Sequence, residues 1–126
     1  MIKQTVFFNA SPTQVYNLLM DSRLHAGFTG NKATISRKVG GKIEAYGGYI
    51  TGNNIELIEG KKIIQRWHAS DWEEGIDSKV TFTFAKSSKG TKMTFTHKGV
   101  PKEFVADISQ GWKEHYWKPM KEALKK

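Results

Sequence analysis

At 126 residues the chain has room for one domain, residues 1–126, which would bury about two-thirds of the surface it exposes when unfolded, and for no second functional unit. It has no cysteine, which excludes disulfides, thiolate catalysis and sulfur-ligated metals, and its apolar residues nowhere run on for the ~20 positions of a membrane-spanning helix. The net charge of +8 favours acidic partners, among them nucleic acid, anionic lipid and acidic protein faces, but the basic residues are dispersed over almost every predicted element.

The N-terminus, Met1-Ile2-Lys3-Gln4-Thr5, lacks the apolar segment and small-residue cleavage site of a secretory signal, so the protein is expected in the cytosol. Residues 2–9 alternate, with Val6 and Phe8 on one face and Thr5 and Phe7 on the other, which predicts a first strand. Ser11-Pro12-Thr13-Gln14 carries an N-cap serine, a proline at the first helical position and a glutamine at the third, the signature of a capping box. In the helix that follows, Val15, Leu18 and Leu19 form a buried stripe; Asp21-Ser22 either ends it or caps a second short helix through Leu24 and His25.

Glycines then punctuate the chain at Gly40-Gly41, Gly47-Gly48, Gly52, Gly60, Gly75 and Gly90. Between them strands are predicted at 33–37, 42–46, 49–58, 63–69, 78–86 and 92–98. Every connection is too short for a parallel crossover, which needs about a dozen residues, so the sheet of about seven strands must be antiparallel. A closing helix over about 102–125 spaces Phe104, Ile108, Trp112, Tyr116, Met120 and Leu124 four apart, an apolar stripe that spirals slowly. Pro119 inside it cannot bond the His115 carbonyl and is expected to bend the final turn. The fold class is α+β: a curved antiparallel sheet, two short helices after the first strand, and one long C-terminal helix packed on the sheet.

The densest basic group, Lys113, Lys118, Lys121, Lys125 and Lys126, lies toward that helix's C-terminus, where cations suit the dipole. No nucleic-acid motif accompanies it, so a solvated basic surface is expected rather than a nucleic-acid footprint. His25, His68, His97 and His115 are far apart, and Asp71, Glu73, Glu74 and Asp77 lack a calcium-loop pattern. No serine has a glycine-flanked elbow, and neither glycine pair opens a helix as a phosphate loop does. No cofactor, metal or catalytic residue is therefore expected. The interior acid–base candidates are His97, Tyr46 and Tyr49.

The expected output is binding. Trp67, Phe82, Phe84, Phe95, Trp112 and Tyr116 converge on the interior as core or as the wall of a cavity for a small hydrophobic ligand. Trp72, which follows a strand and precedes Glu73-Glu74-Gly75, is expected to be an exposed partner anchor, with Arg66 and Lys113 as further partner-surface candidates.

The run Tyr46-Gly47-Gly48-Tyr49-Ile50-Thr51-Gly52, then Ile55-Glu56-Leu57, Lys61-Lys62-Ile63-Ile64-Gln65-Arg66-Trp67 and Trp72-Glu73-Glu74-Gly75, resembles the Activator of Hsp90 ATPase homologue family. Thr91 with its strand, Gly99-Val100-Pro101, Gln110-Gly111-Trp112 and His115-Tyr116-Trp117 extend the resemblance over essentially the whole chain, which looks most like the C-terminal domain of the eukaryotic members. The resemblance implies the helix-grip fold of the START and Bet v 1 superfamily, and Hsp90 as a partner whose ATPase a co-chaperone-like module stimulates. It also implies that the additional N-terminal domain of the eukaryotic members, which makes much of their Hsp90 contact, is absent. Many single-domain relatives are instead thought to hold hydrophobic ligands between sheet and helix.

Overall fold

A computed structural model, which describes residues 1–124, places β1 at Ile2–Phe8, with Val6 and Phe8 turned into the core and Thr5 and Phe7 outward as the alternation requires. Lys125 and Lys126 of the basic group lie outside the described residues. The capping box forms: the Ser11 hydroxyl accepts from the Gln14 amide at 3.2 Å and the Gln14 side chain accepts from the Ser11 amide at 2.9 Å, opening α1 at Pro12–Met20. Asp21 then takes the second of its two options. Its amide closes α1 on Asn17, and its carboxylate accepts from the Leu24 amide at 3.0 Å, so one residue ends α1 and caps α2 at Ser22–Thr29.

Six strands follow: β2 (Thr34–Ile35), β3 (Lys42–Ala45), β4 (Ile50–Ile58), β5 (Lys62–Ala69), β6 (Ser78–Ser87) and β7 (Gly90–Lys98). All pair antiparallel in the order β1-β7-β6-β5-β4-β3-β2, the helix-grip arrangement. β2 is shorter than its alternation predicts, because the buried Asn54 amide draws the chain after it into a loop by donating to the carbonyls of Ser36 and Lys38 at 2.7 and 2.9 Å. A bulge between Asn54 and Glu56 interrupts the β4–β5 register and adds local twist and bend.

The closing helix begins with a 3₁₀ turn at Lys102–Phe104, continues as α3 (Val105–Trp112), opens into a π turn at Lys113–Trp117 and ends as α4 (Lys118–Ala123). The π turn is how the helix accommodates Pro119: the Lys118 amide reaches back five residues to the Lys113 carbonyl. The His115 carbonyl, which proline cannot bond, instead accepts from the Tyr46 hydroxyl at 3.1 Å. The inserted residue also turns both Tyr116 and Trp117 into the core, so the inward face is wider than the four-residue stripe. The two ends of the chain are stapled at Gln4, whose side chain donates to Ser109 at 3.0 Å and accepts from the Trp117 indole N–H.

Gly52 lies opposite Trp67 in the β4–β5 register, and a Cβ there would fall on the Arg66 carbonyl oxygen. The absent side chain allows the two strand backbones to approach. Gly52→Ala should therefore lower stability by more than about 2 kcal/mol in urea unfolding, since the obstacle is backbone and cannot swing away.

Candidate functional site

A cleft of about 620 Å³ opens between the closing helix and the concave face of the sheet. Ile50, Trp67, Ala69 and His97 line it from the strands, and Phe104, Ile108, Trp112 and Tyr116 from the helix. Tyr46, Tyr49, Asp71 and Trp72 line it from the loops that follow β3 and β5. Among the described residues no lysine or arginine lines it, and its carboxylates are Asp71 and Asp107, the opposite of the chain's overall balance of +8. Among the described residues no three His, Asp or Glu gather as a metal site.

The cleft's inner wall is built on Trp112. Its ring lies 4.4 Å from those of Phe95 and Tyr116, 5.0 Å from Trp67 and 5.3 Å from Trp117. Its indole N–H donates to Nδ1 of His97 at 3.1 Å. An indole only donates, so Nδ1 is the bare nitrogen and Nε2 carries the hydrogen, which it gives to the Ser78 hydroxyl at 2.7 Å; that hydroxyl donates in turn to the Trp67 carbonyl at 3.1 Å. His97 is 2% exposed, and burial pushes its pKa down to about 4. It is a neutral structural link with both nitrogens engaged, which leaves it no spare position for general-base work.

A second buried histidine joins the helices. His25 donates from Nδ1 to the Leu19 carbonyl at 2.9 Å and accepts at Nε2 from the Tyr116 hydroxyl at 2.9 Å, with burial lowering its pKa against the raising effect of the Leu19 bond. Burial raises the Tyr116 phenol well above its usual range, which keeps it a donor. Tyr46 and Tyr49 are each pushed up to about 12, Tyr46 by burial and Tyr49 by burial followed by its 2.8 Å bond to Asp71. Tyr46 has φ of 52°, the left-handed region that costs an L-residue about 1–2 kcal/mol. Its hydroxyl bond to the closing helix offsets part of that strain.

The sequence-predicted residues divide. Trp67, Trp112 and Tyr116 line the cleft. Phe82, Phe84 and Phe95 do not: Phe82 and Phe95 pack beneath Trp112 and Trp117, and Phe84 meets the edge of Tyr16 at 6.1 Å, so these three are core rather than cavity wall. Trp72 needs the firmest correction. It is 7% exposed, turned inward by the tight turn in which its amide bonds the Ala69 carbonyl, and packed against His68 and Phe104; it lines the cleft rather than standing out as an anchor. Arg66 is half-exposed and tied down, donating to Asn53 at 2.6 Å and to Asp77 at 2.9 Å. Lys113 is exposed on the π turn. Phe104 and Ile108 are legible on the helical stripe; Asp71 stands out in the sequence only as one of an acidic group without a calcium-loop pattern, and Asp107 carries no sequence signal.

A family profile described as Activator of Hsp90 ATPase homolog 1-like protein matches residues 9–125. The activator of 90 kDa heat shock protein ATPase homolog of Dictyostelium discoideum is 33% identical over 109 residues, which are 86% of this chain and 28% of that protein. The human activator homolog 1 is 28% identical over 123 residues, 98% of this chain and 36% of that protein. The chain thus spans about a third of the length of the curated relatives it matches. Among solved structures, an HSP90 activator from Plasmodium falciparum superposes with a TM-score of 0.89 at 26% identity, covering 98% of this chain and 94% of that one. The Aha1 dimer from Colwellia psychrerythraea shares the fold, with a TM-score of 0.83 at 21% identity and coverage of 98% and 94%.

The buried histidines set a pH response. The folded pKa of His97 lies below the usual 6.5, so between pH 6.5 and about 4 the unfolded chain binds a proton that the folded chain refuses. Stability is therefore full above that window and should fall as pH drops through it, by up to about 3 kcal/mol, with His25 acting in the same direction. Urea midpoints measured from pH 7.5 to 4 should show a shallower loss in His97→Gln; an unchanged slope would place the effect on other groups.

Proposed function

Because this chain belongs to the family of Activator of Hsp90 ATPase homolog 1-like proteins, we propose that residues 1–126 act as one cytosolic binding module that engages Hsp90 and raises its ATPase rate. The observation that carries this reading is the family match over residues 9–125, supported by the backbone likeness to the Plasmodium falciparum HSP90 activator. The module acts by binding: its histidines of lowered pKa, His25 and His97, are occupied in holding the helices, and its charge of +8 suits an acidic partner face. Addition of the protein to the Hsp90 of its own host should give saturable stimulation of ATP turnover that weakens as salt is raised. No stimulation by protein shown to be folded would overturn the proposal.

The cleft favours a second reading, a binder of a small hydrophobic ligand. Its volume of about 620 Å³ falls within the range of roughly 300–1,000 Å³ typical of ligand sites, and its walls are mainly aromatic. With Asp71 and Asp107 as its carboxylates and no lysine or arginine lining it among the described residues, it suits a neutral or cationic molecule rather than an anion. A neutral apolar dye should change tryptophan emission through Trp67, Trp72 and Trp112, whereas an anionic dye of similar size should bind more weakly. Equal binding of both dyes, or of neither, would count against this reading.

A further inference from the structure

β1 ends the sheet and pairs only with β7, so half of the backbone N–H and C=O groups of residues 2–8 face away from the ladder. Among the described residues, no backbone group outside that ladder bonds to this edge. A groove of about 570 Å³ separates the edge from the closing helix. Its strand wall is residues 4–7, four consecutive positions. Successive side chains point to opposite faces of a sheet, so a groove bounded by all four runs along the strand's edge and not over one face.

The helix wall carries Lys113, Lys118 and Lys121, all exposed. Glu122 also lines the groove, whose formal charge is therefore positive. Trp117 closes the groove floor through its bond to Gln4, and Phe7, 58% exposed, flanks the groove. From Lys113 to Lys121 the helix rises about 12 Å, a length comparable with the roughly 10 Å from residue 4 to residue 7 of the strand.

We propose that this groove accepts an extended acidic segment of a partner protein, added beside β1 as a further strand with its carboxylates facing Lys113, Lys118 and Lys121. An added strand meets both kinds of open group, donating to the edge carbonyls and accepting from the edge amides. An anionic lipid surface supplies acceptors only and leaves the carbonyls unmet. A second copy of a chain charged +8 is repelled where an acidic segment is drawn in. The proposal does not depend on Hsp90 being the partner.

The test uses a fluorescent peptide of about eight residues alternating glutamate with valine or threonine, read by fluorescence polarisation and by amide hydrogen exchange. A second peptide of the same sequence carries N-methyl groups on alternate amides, which leaves its charge and removes its strand-pairing edge. The first peptide should bind saturably and protect amides within residues 3–7, and the N-methylated peptide should not. Lys118→Glu with Lys121→Glu, both at exposed positions, should weaken binding at least about tenfold while circular dichroism stays native. Equal binding of the two peptides, no binding of either, capture by phosphatidylserine vesicles without peptide binding, or dimerisation through β1 that the peptide does not displace would each overturn the proposal.

Discussion

The hydrogen bond from the Trp112 indole to His97 is the constraint on which the interior depends. An imidazole that is 2% exposed is costly unless both nitrogens are satisfied, and the buried Trp112 indole gains an acceptor that, among the described residues, the buried indole nitrogen of Trp72 lacks. Each supplies what the other lacks. Because His97 comes from β7, its second partner Ser78 from β6, and Trp112 from the closing helix, one chain of bonds fixes the helix on the sheet to within hydrogen-bond tolerance. Apolar packing alone, with Trp67, Phe95 and Tyr116 as interchangeable neighbours, would let the helix slide or rotate at little cost.

The outer half of the same helix is arranged by two local departures from regular geometry that compensate each other. Pro119 removes an amide, and the Tyr46 backbone adopts a left-handed conformation that a tyrosine does not favour. They meet at the His115 carbonyl, where the phenol takes the place of the missing donor. The loop after β3 is thereby latched to the helix on the side where the cleft opens, and the π turn lets Tyr116 and Trp117 both face inward although they are neighbours in sequence.

What could be read from the sequence follows from which features are periodic or local. Alternation located the strands to within a few residues, and the Ser11–Gln14 capping box is complete in four residues. Periodicity also showed that Phe82, Phe84 and Phe95 face inward, but facing inward does not distinguish the packed layer beneath Trp112 from the wall of a cleft above it. Trp72 defeated the reading because a turn after a strand, flanked by acidic residues, ordinarily points to water; here the chain reverses at Ala69 and lays the indole against Phe104, which lies 32 positions further along the chain. The π turn and the edge groove are likewise products of tertiary placement. Phe7 could be assigned to the outer face, but not to the flank of a groove whose other wall is more than a hundred residues away.

The Gln4 staple and the β1–β7 ladder together bear on how the chain comes off a ribosome. Residue 4 has its partners at Ser109 and Trp117, and its strand pairs with residues 91–97. β1 has no partner until β7 has been made, so of these seven strands it waits longest in an unpaired state, and the high sequence separation of its contacts slows its closure. During that wait residues 1–90 carry 12 lysines and arginines against 8 aspartates and glutamates, and this net charge of +4 opposes the joining of an open strand edge to those of other nascent chains.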